Sequence, residues 1–188
     1  MEYLWFKLLA YVLFAVLTYL LTNNRVAKYN WALPVDRRIN MIPIFVVPYL
    51  FLYPFIFIVF FLSFTLNKNI ANEYLNALIL AQLLGFIFWL IFPNGVRRSP
   101  IQPTRLGRII NSIYKHDKET NGFPSGHVFM SVISVYYALQ ADIITGFFMA
   151  IIGATIILST VFIKQHYIID VFGGIVFAVA SIFLTGLF

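Results

Sequence analysis

The sequence predicts an all-α protein, a bundle of six membrane-spanning helices, on three observations. First, 61% of its 188 residues are hydrophobic and only 11% are charged, where a soluble domain is about half apolar and about a quarter charged. Second, the apolar residues fall in runs of about twenty, the length that crosses about 30 Å of hydrocarbon. Third, the polar residues collect between those runs. No repeat or low-complexity stretch divides the chain, so residues 1–188 read as one membrane-embedded domain. Cysteine is absent, which excludes disulfide and thiolate chemistry. The net charge of +6 points to membrane topology or an anionic substrate. No basic groove with interleaved aromatics suggests nucleic acid.

The spans follow in order. Span one runs from Tyr3 to Leu21 and reads as a retained helix, because Leu20-Leu21-Thr22-Asn23-Asn24 is a poor cleavage signal. A polar loop from Asn23 to Asn40 carries Arg25, Lys28, Arg37 and Arg38, with Trp31 as an interface aromatic. Span two lies within Met41–Leu66, where Pro43, Pro48 and Pro54 predict an irregular opening segment and then a bent helix. A polar turn, Asn67–Glu73, leads to span three, Tyr74–Phe92, which Pro93 ends. The loop onward to Pro124 is long for a mere connection and is expected to shape a site. It has room for a short interfacial helix over Leu106–Tyr114. Span four runs from Ser125 to Ala141, span five from Ile143 to Ile163 and span six from Tyr167 to Phe188.

Six spans bring two polar clusters to one face. Pro124-Ser125-Gly126-His127 opens span four, and His166 and Asp170 open span six. Arg97 and Arg98, just after span three, share that face. His166 and Asp170 are four apart at a helix start, so the carboxylate can accept from one imidazole nitrogen and leave the other as nucleophile or base. An interfacial histidine beside a capping aspartate would give the same pattern. Ser125 suits an N-cap, and Gly126 lets an anion approach the free amides of a helix N-terminus. His127, in that first turn, is placed to donate a proton to a leaving oxygen, although a satisfied histidine after an ordinary serine cap reads the same way. Arg97, Arg98 and Lys164 are candidate phosphate clamps and equally candidate interfacial charges. Arg105, Arg108, Lys115 and Lys118 are assigned to lipid headgroups or solvent. The chain holds seven acidic residues, and only Asp170 is near the paired histidines. A magnesium site, which needs carboxylates, is therefore not expected; no metal and no cofactor is.

These motifs are ones a known family carries. Pro124-Ser125-Gly126-His127, then Ser159-Thr160, five residues, His166, three residues and Asp170, with 31 residues from Val128 to Leu158 between the blocks, resemble the type 2 phosphatidic acid phosphatase family, which also includes bacterial haloperoxidases. The resemblance implies that His166 attacks phosphorus, Asp170 orients it, His127 protonates the leaving group, and Ser125 and Gly126 hold phosphate oxygens. Two positions depart from the pattern. Thr160 stands where the family has arginine, and Leu90 and Ile91 stand where it has the lysine seven residues before an arginine; Arg98, with Arg97 next to it, takes the place of that arginine. The His166-Tyr167 pair and the prolines at Pro34, Pro43 and Pro48 are faintly similar to inositol-phosphorylceramide synthases.

The expected function is a metal-independent lipid phosphate phosphatase working through phosphohistidine. Its expected partner is a phosphorylated membrane lipid such as phosphatidic acid, phosphatidylglycerol phosphate or a polyprenyl pyrophosphate. Two alternatives stand beside it: transfer of the phospho-head group to an alcohol, and a non-enzymatic lipid-phosphate binder or transporter. The resemblance implies a cell-membrane protein whose site faces outward. Charge disagrees, since eleven Lys and Arg residues fall on the site face and two, Lys7 and Lys68, on the other, which the positive-inside rule reads as cytoplasmic.

Overall fold

The computed structural model describes residues 2–101 and 103–187. The chain's regular elements, among the described residues, are all helices. Helix α1 is Glu2–Thr22; 3₁₀ turns at Pro34–Arg37 and Pro43–Phe45 lead into α2 (Val46–Leu50) and α3 (Leu52–Leu66). Then come α4 (Lys68–Ile91), α5 (Arg105–His116), α6 (Gly126–Ala141), α7 (Ile143–Phe162) and α8 (Ile168–Thr185). Among the described residues five segments are long and apolar enough to cross a membrane: α1, Pro43–Leu66, α4, α7 and α8. The protein is thus an all-α, multi-pass membrane protein. Large side chains such as Phe6, Leu13, Ile143, Phe147, Phe172 and Phe183 are exposed on the helices, as a lipid solvent requires.

Local chemistry explains the boundaries. Pro43 opens its 3₁₀ turn, and Pro48 and Pro54 each stand third in their helices, where an amide has no acceptor in a preceding turn. The irregular opening segment expected for span two is therefore present. The polar turn expected over Asn67–Glu73 is instead helical. Asn67 caps α4 by accepting from the Asn69 amide, and Lys7 donates to Asn72 across 2.7 Å, so polar residues extend the helix. The interfacial helix expected over Leu106–Tyr114 is α5, capped by Thr104 on the Gly107 amide. Helix α8 is regular to Thr185; the expected end of span six at Phe188 lies outside the described residues.

Helix α6 is the centre of the bundle. It packs against α3, α4, α7 and α8 and buries Val128, Phe129, Ile133, Tyr137 and Ala138. At sixteen residues it is about 24 Å long, shorter than the five spanning segments. Small residues let its neighbours come close, the usual device where lipid removes the hydrophobic drive between helices. A Cβ on Gly146 of α7 would lie 2.5 Å from Leu139 Cα, and one on Gly174 of α8 would lie 2.6 Å from Val128 Cβ and 2.9 Å from the Ser125 carbonyl oxygen. Polar pairs add inter-helix bonds: Gln82 donates to Thr18 Oγ1 (2.6 Å), and the hydroxyls of Tyr74 and Ser134 lie 2.8 Å apart.

Arg98 ties the long loop to the rest. Its Nη1 donates to Gln165 Oε1 (2.6 Å), and its Nη2 donates to the carbonyls of Asp117 (2.8 Å) and Lys118 (2.7 Å). Its guanidinium carbon sits 4.7 Å from the centre of the Tyr114 ring. One planar cation thus holds the end of α5 against the α7–α8 turn.

Two stability measurements check these points. Replacing Gly146 with alanine forces overpacking against backbone, with an expected loss of about 1–3 kcal/mol; an unchanged thermal midpoint in detergent would contradict the close crossing. Arg98→Ala removes three hydrogen bonds to part-buried and exposed acceptors and is expected to cost about 1–3 kcal/mol, whereas exposed Arg97→Ala should stay within about 0.5 kcal/mol. Equal effects would show that Arg98 is not a tie.

Candidate active site

The α7–α8 turn presents the first histidine. Helix α7 closes as a Schellman motif: the Lys164 amide donates to the Val161 carbonyl (3.1 Å) and the Gln165 amide to the Thr160 carbonyl (2.9 Å). Lys164 takes the left-handed position, φ 58°, that glycine usually fills. The His166 amide also reaches the Thr160 carbonyl (3.0 Å), so the two residues after Lys164 are fixed to the helix end. Two carboxylates then cap α8. Asp170 Oδ2 accepts from the Tyr167 amide (2.8 Å) and Asp36 Oδ1 from the Ile168 amide (3.0 Å), an arrangement the positive end of a helix favours. Asp170 is wholly buried, and its Oδ1 has no hydrogen-bond partner among the described residues.

His166 is nearly buried, and its tautomer is set by a backbone carbonyl. Its Nδ1 lies 2.8 Å from the Gly122 oxygen. A carbonyl can only accept, so Nδ1 carries the proton and Nε2 keeps its lone pair. The sequence reading expected Asp170 to accept that bond. Asp170 Oδ2 stands at 3.6 Å from Nδ1, outside hydrogen-bond range, because it caps the Tyr167 amide. It is buried beside the ring. Gly122 is positioned by Asn94, whose carbonyl accepts from the Gly122 amide (3.3 Å) and whose Oδ1 accepts from the Phe123 amide (3.0 Å). The Trp89 indole N–H donates to the Pro124 carbonyl (3.2 Å).

His127 faces His166 across 6.3 Å between ring centroids. Tyr49 stacks on it at 4.1 Å and 18°, which fixes the plane of the ring. Ser125 is the N-cap of α6, accepting from the Val128 amide at 3.4 Å, and its own amide donates to the Asp170 carbonyl (3.1 Å). The capping thus joins the starts of α6 and α8. Both histidines and Gly126 line a cavity of about 500 Å³ that runs from this polar end between α1 and α3, past Tyr11, Val16, Tyr53 and Phe57. Helix α5, with Ile113 and His116, and its C-cap Asp117 cover the polar end.

The structure brings His127, His166, Asp170, Ser125 and Gly126 together. It does not bring the expected cations into the cavity wall. Arg97 lines a separate, shallow hollow with Lys28, Asn30 and Glu119. Lys164 donates to the Asp36 carbonyl (3.0 Å), directed there by the left-handed turn. Arg98 lies one residue behind the wall, engaged by Gln165 and the two carbonyls. Among the described residues no lysine or arginine lines the cavity, and no three His, Cys, Asp or Glu side chains cluster as metal ligands.

Three residues escape the sequence reading. Asn94 looks like a loop residue after a helix stop. Asp36 looks like one charge in a polar loop. Asp117 carries the one faint signal, an acid within a basic stretch. Burial pushes its carboxyl above the usual range, with Arg98, His166 and the Tyr49 hydroxyl acting against that shift.

No curated protein and no solved structure matches the chain. A family match covers residues 34–184, which takes in every residue of the paired-histidine site and carries no assignment to the synthase-like branch. On that match the chain belongs to the PAP2 superfamily.

Proposed function

We propose that the protein cleaves phosphoester bonds of membrane lipids without a metal ion, through a phosphohistidine on His166. The observation that carries this reading is the His166 Nδ1–H bond to the Gly122 carbonyl, which leaves Nε2 nucleophilic at the wall of a cavity shared with His127. In the proposed reaction Nε2 forms a bond to phosphorus as the bond from phosphorus to the leaving oxygen breaks. His127 gives that oxygen its proton. Water then attacks phosphorus, passing a proton to His127, and the N–P bond breaks. The buried Asp170 carboxylate stabilises the positive ring of the attacking histidine. The amides of Gly126 and His127, at the head of α6, have no preceding turn to bond to and are assigned to the nonbridging oxygens, beside Ser125. Such preorganised donors are usually the largest catalytic term.

On this reading α6 completes a six-span bundle in one domain, and the site lies at one membrane interface. The lipid tail enters between α1 and α3. Phosphatidic acid, phosphatidylglycerol phosphate and polyprenyl pyrophosphate all have the required form. The site face is placed outward. The charge count that opposes this is weakened because Arg25, Arg98 and Lys164 bond backbone carbonyls at helix ends and turns. A second reading, transfer of the head group to an alcohol, is favoured by the lack of Lys and Arg in the cavity wall among the described residues, since a dianionic monoester asks for cations there. A binding protein with no turnover is the third.

The test is phosphate or phospho-head-group release by purified protein from a lipid panel with chelator present. Turnover is expected to survive the chelator and to fall at least about a thousandfold in His166→Ala, with the melting transition retained. A trapped phosphohistidine at His166 excludes the binding role, and turnover persisting in His166→Ala excludes the nucleophile. Inorganic phosphate as product separates hydrolysis of a monoester from transfer.

A further inference from the structure

The residue before His166 carries a buried hydrogen-bond donor that the proposed reaction does not use. Gln165 is 4% exposed and lines the same cavity as His127, His166 and Gly126. Its backbone is fixed, because its amide donates to the Thr160 carbonyl at the end of α7 (2.9 Å). Its side chain is oriented by Arg98, whose Nη1 lies 2.6 Å from the side-chain oxygen. A guanidinium has donors only, so the oxygen of the Gln165 side chain faces Arg98 and the NH2 group is turned away from it. That nitrogen, Nε2, is buried and has no acceptor among the described residues. A buried donor left without an acceptor is costly, and this one belongs to a wall residue next to the histidine that would meet phosphorus. Arg98 strengthens it. The other bonds of the guanidinium go to the carbonyls of Lys164 (3.4 Å), Asp117 (2.8 Å) and Lys118 (2.7 Å), all of them neutral groups. A bond from a cation polarises the amide that accepts it, and a polarised amide is a stronger donor at its other end. Since no lysine or arginine lines the cavity among the described residues, Gln165 is the bonded path from a cation to the wall.

We propose that Gln165 binds the phosphate of the substrate, its Nε2 donating to a nonbridging oxygen, with Arg98 behind it as a positioning residue that turns the amide and polarises it. This rests on the reading that places phosphate at His166 and adds a binding residue to it. The phosphate then meets a neutral, charge-assisted donor where a direct cation would otherwise stand. Arg98 acquires a second task beside tying the end of α5 to the α7–α8 turn, and one bond, Nη1 to the Gln165 oxygen, serves both.

The experiment measures binding apart from turnover, by titrating dodecyl phosphate into the full chain carrying His166→Ala in maltoside micelles. Gln165→Glu keeps an oxygen for Arg98 and replaces only the NH2 group, so a residue that merely ties Arg98 would lose nothing by it. It is expected to keep the thermal midpoint and to weaken dodecyl phosphate about tenfold or more. Gln165→Met, which has neither the donor nor a charge, is expected to weaken it as well. In the 15N spectrum, the side-chain NH2 signal that these variants remove is expected to shift when dodecyl phosphate saturates the parent. Should Gln165→Glu fail to fold, Gln165→Met and that signal decide. Unchanged affinity in Gln165→Glu, loss in Gln165→Glu with none in Gln165→Met (repulsion by the added carboxylate alone), a signal that does not move, or no binding by the parent overturns the proposal. The phosphohistidine reading is judged separately on chains that keep His166. A phosphohistidine trapped there, with dodecyl phosphate affinity indifferent to Gln165, keeps that reading and removes this one; affinity that depends on Gln165 without any phosphohistidine does the reverse.

Discussion

The 2.8 Å hydrogen bond from His166 Nδ1 to the Gly122 carbonyl joins two segments that the chain separates by a helical hairpin, and the order of the site follows from it. It fixes the tautomer of the histidine that faces the cavity. It needs Gly122 in one place, which Asn94 supplies with its carbonyl and side-chain oxygen. It needs the α7–α8 turn in one place, which the Schellman bonds onto Thr160 and Val161 supply. The Ser125 amide bonded to the Asp170 carbonyl then locks the starts of α6 and α8 together, so both histidines are referred to one frame. The bundle core beneath, centred on α6 and tightened at Gly146 and Gly174, holds that frame rigid.

The residues of the candidate site are readable in the sequence because they sit at helix starts. Ser125, Gly126 and His127 open α6, and His166 and Asp170 flank the start of α8; helix periodicity alone brings the second pair together. Even so, spacing misassigned a bond. An i, i+4 pair suggests that the carboxylate accepts from the ring, but a carboxylate at the third position of a helix is first claimed by the N-cap amide, here that of Tyr167. The contributions of Asn94, Asp36 and Asp117 come from contacts tens of residues away in sequence, and no periodicity encodes those. The turn expected over Asn67–Glu73 failed for a local reason, since a capping asparagine before good helix formers begins a helix even when the residues are polar.

The cations illustrate a further limit of reading charge from sequence. Near an anionic site, arginine and lysine invite assignment as clamps. Here Arg25 donates to carbonyls at the end of α4, Arg98 to carbonyls just past α5, and Lys164 to the carbonyl of Asp36 in the 3₁₀ turn that caps α8. Backbone ends buried near a membrane have little water to satisfy them, so long cationic side chains do so. These side chains act as ties between segments, and the net charge of the face reflects that architecture as well as topology.

The family match begins at residue 34, so α1 lies outside it, yet α1 forms a whole wall of the cavity, from Leu8 to Tyr19. The cavity wall is therefore shared between α1 and the matched part of the chain, which supplies Tyr53, Ile56, Phe57 and both histidines. Substitutions along α1 can reshape one wall of the cavity without touching the hydrogen bonds that set the histidines, so its shape is free to drift in evolution while the paired-histidine geometry stays constant.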